Sequence, residues 1–296
     1  MIVYWSPDYV AAAENFDTTR KSRWIIDSLE TAPIPDIEIV APPLLSSSEL
    51  CLAHSEDYVE AVRWGMPRRL AESQGFHWDP SLWTMARAHS EGIVAALENA
   101  LKTGENTGTL SSGQHHASYD SGAGFCTFNG IAIAAKRALR LGAMRVLIID
   151  LDAHGAGGTY SLIAGDDRIH QLDIAVNVYE SYRVQRPNTH DFIRTATSYL
   201  PALELRLGDL AKLEERFDVC LYYAGMDPHE RCEIGGLSGI TERILAEREQ
   251  LVFGWCKKHA IPVAFGIGGG YINEDFSREE LTGLHRLTLR AASLQN

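Results

Sequence analysis

Arg145-Val146-Leu147-Ile148-Ile149-Asp150-Leu151-Asp152-Ala153-His154-Gly155-Ala156-Gly157-Gly158-Thr159 is the stretch on which the fold turns. Its first five residues are almost continuously apolar, as expected of a strand buried on both faces. Such strands belong to parallel sheets covered by helices. Asp150, Asp152 and His154 then alternate. In extended backbone, alternate side chains leave on the same side, so all three are expected to face one site. The carboxyl ends of parallel strands are where α/β proteins build their sites. Carboxylate oxygen and imidazole nitrogen together make a donor set for a divalent cation. The competing reading is a polar strand end whose aspartates cap the next helix.

Working outward, the same kind of strand recurs. Val219–Tyr223 and Pro262–Ile267 are short apolar runs, Met1–Trp5 reads as a first strand, and Thr107–Leu110 as another short one. Helical stretches are expected at Leu82–Leu101, Asn129–Leu141 and Ile240–His259, and Leu44–Ser48 is expected to be a loop. Strand and helix in series predict an α/β fold: a single domain over residues 1–296, with a mainly parallel β-sheet and helices on both faces. The segment Asp173–Pro201 has no clean period. The chain has 296 residues, 45% hydrophobic and 22% charged, enough to build a core without covalent staples. Its five cysteines, Cys51, Cys126, Cys220, Cys232 and Cys256, are scattered with no CxxC pair, which speaks against a disulfide framework or a cysteine zinc site.

The formal net charge is −12, and no basic stripe is present. Nucleic-acid binding is driven by neutralising phosphates, so a nucleic-acid partner is not expected. No run approaches the ~20 apolar residues of a membrane helix, and the N-terminal stretch lacks the features of a secretory leader. The expectation is a soluble cytoplasmic protein with no membrane partner. Oligomeric state is not legible.

Three further strand ends carry chemistry. After Val219–Tyr223 comes Ala224-Gly225-Met226-Asp227-Pro228, which puts a third carboxylate at a second strand end. Two aspartates and one histidine leave a coordination position open for water and substrate. Gly113-Gln114-His115-His116-Ala117 offers adjacent imidazoles, suited either to proton handling or to metal binding. Gly266-Ile267-Gly268-Gly269-Gly270-Tyr271 allows close backbone approach and then presents a phenol. It does not fit the spacing of a dinucleotide-binding loop.

Taken in order, these elements resemble the histone deacetylase family, which includes acetylpolyamine amidohydrolases and shares the arginase-deacetylase fold. The matching stretches are Gly113–Ala117, Gly124–Gly130, Asp150–Thr159, Ala224–Asp227 with Gly235–Leu237, and Gly268–Tyr271. The resemblance implies that Asp152, His154 and Asp227 hold one zinc ion per chain, a ligand set that also suits Fe2+ or Co2+. It implies a structural K+ near Asp150 and Asp152. It makes His115 and His116 the proton-handling pair, with His116 as general base and acid, Asp150 as the partner of His115, and Tyr271 as the oxyanion donor. Gly124, Phe125, Ile234 and Gly269 would line a substrate tunnel, and Asp79 would hold substrate backbone at its rim.

The implied activity is a zinc-dependent deacetylase, removing an acyl group, acetyl first, from an amine such as acetyl-lysine. One alternative is an acetylated small metabolite such as a polyamine. Another is a weakly active metal-binding relative that recognises acylated partners. Cys232-Glu233 departs from the family's usual Asp-Pro ahead of Gly235–Leu237, and two positions after the ligand histidine depart as well. Gly155 stands where a second histidine is usual, and Gly157 where an Asn or Asp usually orients the second catalytic histidine. The resemblance leaves His116 without a named support.

Overall fold

The computed structural model describes residues 1–214 and 216–296. Among them are eight strands: β1 Ile2–Tyr4, β2 Glu38–Val40, β3 Thr107–Thr109, β4 Val146–Asp150, β5 Ile169–Ala175, β6 Thr189–Phe192, β7 Val219–Ala224 and β8 Val263–Ile267. They form one sheet in the order β2-β1-β3-β8-β7-β4-β5-β6. Every neighbouring pair is parallel. The expected parallel α/β architecture is therefore what the chain adopts.

Alternation along the central strands splits the core into two apolar layers. Leu147 and Ile149 of β4, Cys220 and Tyr222 of β7, and Val263 and Phe265 of β8 face one layer. It is closed by residues of the helices Asp17–Thr31, Tyr199–Leu210, Glu242–Lys258 and Arg278–Leu294. Val146, Ile148, Val219, Leu221, Tyr223 and Ala264 face the other, under the helices Pro80–Thr103 and Gly130–Arg140. With both faces covered, these strands must be apolar throughout, and that is why they were readable.

The predicted helices lie where they were expected, with ends shifted by one or two residues. Asp79 N-caps the helix Pro80–Thr103 by accepting from Ser81 N, and Asn129 caps Gly130–Arg140 by accepting from Ala132 N. Leu44–Ser48 departs from expectation at its end. Ser46 and Glu49 form a capping box, which starts a short helix at Ser47. Among the described residues no helix is long and apolar enough to cross a membrane. All five cysteines are free thiols, and only Cys51 is exposed.

The last two strands along the chain, β7 and β8, lie between β3 and β4. Four adjacent strands, β3, β8, β7 and β4, thus bring their carboxyl ends together at mid-sheet. These are the ends that lead into His115–His116, Tyr271, Asp227 and Asp150–His154.

Candidate metal centre and active site

Asp152, His154 and Asp227 converge at the floor of the site, each offering a ligand atom within 4.8 Å of the others. All three are buried. His154 Nδ1 lies 3.0 Å from Asp152 Oδ1 and 3.1 Å from Asp227 Oδ2. Asp227 Oδ1 accepts from Ala153 N at 2.9 Å. Its Oδ2 is buried and faces only the His154 ring, whose Nδ1 lies 3.1 Å away. Two buried carboxylates crowded on one imidazole are costly unless a cation meets them. Their donor atoms, with that of His154, fit a divalent cation. Burial and the charge of Asp152 push the Asp227 carboxyl up to about 6. Burial opposes the imidazolium of His154, but the two carboxylates prevail and raise it to about 10.

Backbone packs tightly around this cluster. Gly269 N donates to Asp152 Oδ2 at 2.5 Å. A Cβ on Gly269 would lie 1.9 Å from Asp227 Oδ2, so only glycine fits there. Gly269 therefore shapes the floor and holds the Asp152 carboxylate in place. Behind the cluster, the fully buried Arg248 donates to Leu151 O at 3.1 Å and Gly225 O at 2.7 Å, tying together the two loops that carry the aspartates. Lys21, also buried, donates to Gly268 O from the opposite side. Burial lowers its pKa, against the pull of Asp227, Asp152 and Asp17.

The two histidines stand side by side, with ring centroids 4.0 Å apart. Their loop is pinned by Gly113 N donating to Tyr223 Oη at 3.0 Å, and by Asn129 Nδ2 donating to His115 O and Ala117 O. His115 Nδ1 faces Asp150 Oδ2 at 3.0 Å. Burial works against its positive charge, but Asp150 and Asp152 overcome it and hold the ring up at about 9. His116 behaves oppositely. Burial and the neighbouring His115 bring it down to about 4, although a carboxylate faces its Nδ1. That carboxylate is Glu180, at 2.6 Å.

Tyr271 lines the same cleft, almost fully buried. Burial, Asp227 and Asp152 raise its pKa well above the ordinary phenol value, so it keeps its proton and remains a donor. The cleft is a cavity of about 390 Å³ bordered by Gln74, Gly124, Phe125, Tyr179, Ile234 and both His116 and His154. Phe125 is held with φ 64 and stacks between Phe16, 4.4 Å away, and Phe76, 5.3 Å away. A bulky residue in that conformation costs on the order of 1–3 kcal/mol, and the packing around it holds it there. Tyr179 stands opposite, its ring 5.1 Å from His116 and 5.9 Å from His154. Ile234 is 41% exposed at the mouth.

Most residues singled out in the sequence meet here: Asp150, Asp152, His154, His115, His116, Asp227, Tyr271, Gly124, Phe125 and Ile234. Asp79 does not. Its carboxylate is engaged as a helix cap, and it is not among the residues lining the cleft. Sequence reading missed Tyr179, Glu180, Gln74, Lys21 and Arg248. An aromatic followed by an acid in an aperiodic stretch gave no signal of its own.

The model of the histone deacetylase domain family matches residues 15–283. An uncharacterised protein of Picosynechococcus sp. is 31% identical over 269 residues, covering 89% of this chain and 88% of that protein. A probable deacetylase of Methanothermobacter thermautotrophicus is 26% identical over 97% of this chain and 90% of its own. Histone deacetylase 2 of Arabidopsis thaliana is 27% identical, covering 87% of this chain and 69% of that one. In fold, the HD domain of HDA15 superposes with a TM-score of 0.81 at 17% identity, over 99% of this chain and 90% of the other. An acetylpolyamine aminohydrolase from Burkholderia pseudomallei gives 0.76 at 14% identity, over 98% of both chains.

Proposed function

Since the chain belongs to the histone deacetylase family, we propose that it is a zinc-dependent amidohydrolase that removes an acetyl group from a primary amine. The observation that carries this reading is the convergence of the buried Asp152, His154 and Asp227 beside a histidine pair and a protonated tyrosine. A divalent cation held by those three residues supplies Lewis acidity toward the amide carbonyl and toward water.

The chain's own groups do the rest. His116, lowered to about 4, is neutral near pH 7 and takes a proton from the attacking water. It then returns that proton to the departing amine nitrogen as the C–N bond breaks. His115, whose pKa Asp150 and Asp152 raise against burial, stands beside it with its ring 4.0 Å away. The Tyr271 hydroxyl donates to the oxyanion. Phe125 and Tyr179 flank the approach with apolar faces that suit an alkyl stem and exclude water.

The mouth favours a neutral stem, as in acetyl-lysine within a peptide, over a cationic polyamine chain. Among the described residues bordering the cleft there is no carboxylate, and Ile234 lies at its opening. The test is a substrate panel on zinc-loaded protein. Turnover of acetyl-lysine peptides well above acetylated polyamines is expected. The reverse preference would move the assignment to a small-metabolite deacetylase, and no turnover of either would leave a binder of acylated partners.

A further inference from the structure

We propose that Glu180 is the positioning residue for His116, and that Gly155 and Gly157 are glycines because the segment carrying Glu180 occupies the space their side chains would need. The proposal rests on the deacetylase reading for its catalytic meaning, but not for its geometry. Glu180 lies beyond β5, in the stretch with no sequence period. Val176 N and Asn177 N both donate to Ala153 O, at 2.9 and 2.8 Å, and Asn177 bridges to His154. The chain is thereby clamped along the metal-ligand loop and turns Tyr179 and Glu180 toward His116.

The fit is reciprocal. A Cβ on Gly157 would lie 2.3 Å from Glu180 Oε1 and 2.8 Å from its Cδ. A Cβ on Gly155 would lie 2.4 Å from the Glu180 backbone oxygen. At Gly155 the conflict is with backbone, which no side-chain turn relieves; at Gly157 it is with the carboxylate end of Glu180, so a side chain there would push the carboxylate from its observed place. The segment carrying Glu180 thus accounts for both glycines. It brings a carboxylate to His116 from a neighbouring loop.

Its action follows from the bond it makes. His116 Nδ1–H donates to Glu180 Oε2 at 2.6 Å, which fixes the tautomer and the ring plane and leaves Nε2 with its lone pair toward the cleft. Glu180 touches no reacting atom and acts only through His116. Its side chain is 30% exposed, so it can be replaced without opening the core.

The experiment compares wild type, Glu180→Ala, Glu180→Gln, Gly157→Asp and the exchange variant Gly157→Asp/Glu180→Ala. Glu180→Ala is expected to lose roughly 10–100-fold in kcat with KM little changed, the usual cost of losing such a partner. Glu180→Gln, which still offers an oxygen to Nδ1–H, is expected to retain more than the alanine variant. The exchange variant is expected to recover most of the loss, because Gly157 opens directly onto the vacated position.

Imidazole ¹⁵N spectra of the metal-free proteins give a readout independent of turnover. His116 is expected to be Nδ1-protonated in wild type and in the exchange variant, and a mixture of tautomers in Glu180→Ala. An unchanged tautomer and unchanged kcat in Glu180→Ala would overturn the proposal. Should wild type turn over no acetylated amine, the deacetylase reading fails, and the spectra alone still decide whether Glu180 orients His116.

Discussion

His115 and His116 are neighbours in sequence, yet they rest on opposite kinds of support. His115 leans on Asp150, the last residue of a central strand and wholly buried. His116 leans on Glu180, part-exposed, on a loop beyond β5. The strand support is rigid because both faces of the sheet are packed, and the two buried carboxylates around His115 raise its pKa against burial. The loop support is a single contact that must compete with burial and with His115, and the His116 pKa falls. On the proposed mechanism His116 is the base and His115 its fixed neighbour. The difference teaches that a site's charge pattern is set by the core, whereas the aim of its moving proton is set by a replaceable loop.

The sharpest way to break this comparison is to remove each ring. His116→Ala is expected to cost about 10²–10⁴ in kcat, the range for loss of a general acid–base group, and His115→Ala less. Single-turnover measurements on both variants check this, and an equal or reversed ranking would exchange their roles. Next in size, Tyr271→Phe removes the oxyanion donor and is expected to cost about 10²–10³ in kcat while leaving the fold intact. Near-normal turnover would take Tyr271 out of the mechanism.

The supports themselves are expected to differ in stability rather than rate. Asp150→Ala leaves His115 Nδ1 and Asp152 N without their buried acceptor and is expected to destabilise the fold by about 1–3 kcal/mol for each group left unpaired. Glu180→Ala, at a part-exposed position, should fall within about 1 kcal/mol. Denaturant titrations of the two variants decide it, and similar losses would erase the distinction between strand and loop support.

A smaller effect concerns the frame that holds the histidine loop. His54 Nδ1 donates to Ser118 O at 2.8 Å, and its Nε2 accepts from Asn129 N at 2.8 Å. Asn129 in turn donates to His115 O and Ala117 O. Burial brings His54 down to about 4 from its ordinary 6.5. Between those values the unfolded chain binds the extra proton, so stability from this group is full above pH 6.5 and is lost as pH falls toward 4. The loss is on the order of 3 kcal/mol. His54→Gln is expected to be less stable at pH 7 but to lose less between pH 6.5 and 4. A parallel pH dependence of the two proteins would acquit His54.

What could be read in advance divides along the same line. Arg145–Ile149, Val219–Tyr223 and Pro262–Ile267 announced themselves because strands buried on both faces admit little but apolar residues, and their ends carried Asp152, His154, Asp227 and Tyr271. The strand Ile169–Ala175 did not, because His170, Gln171 and Asp173 interrupt its apolar run while being buried. The helix Asp17–Thr31 was similarly hidden. The first half of its inner face carries Thr18, Thr19, Lys21 and Ser22, and only the second half supplies apolar Ile25, Ile26 and Leu29, so the apolar stripe is cut short. Glu180 was invisible for a further reason. The sequence marked the vacancy, at Gly157, but a carboxylate supplied from another loop leaves no spacing to detect.

The most direct test of the account is zinc titration of metal-stripped protein with turnover of an acetyl-lysine peptide followed in the same samples, beside Asp227→Ala. The account predicts one zinc per chain, activity rising in proportion to occupancy, and neither tight binding nor turnover in the variant. Full activity in the metal-free protein, or in Asp227→Ala, would contradict it.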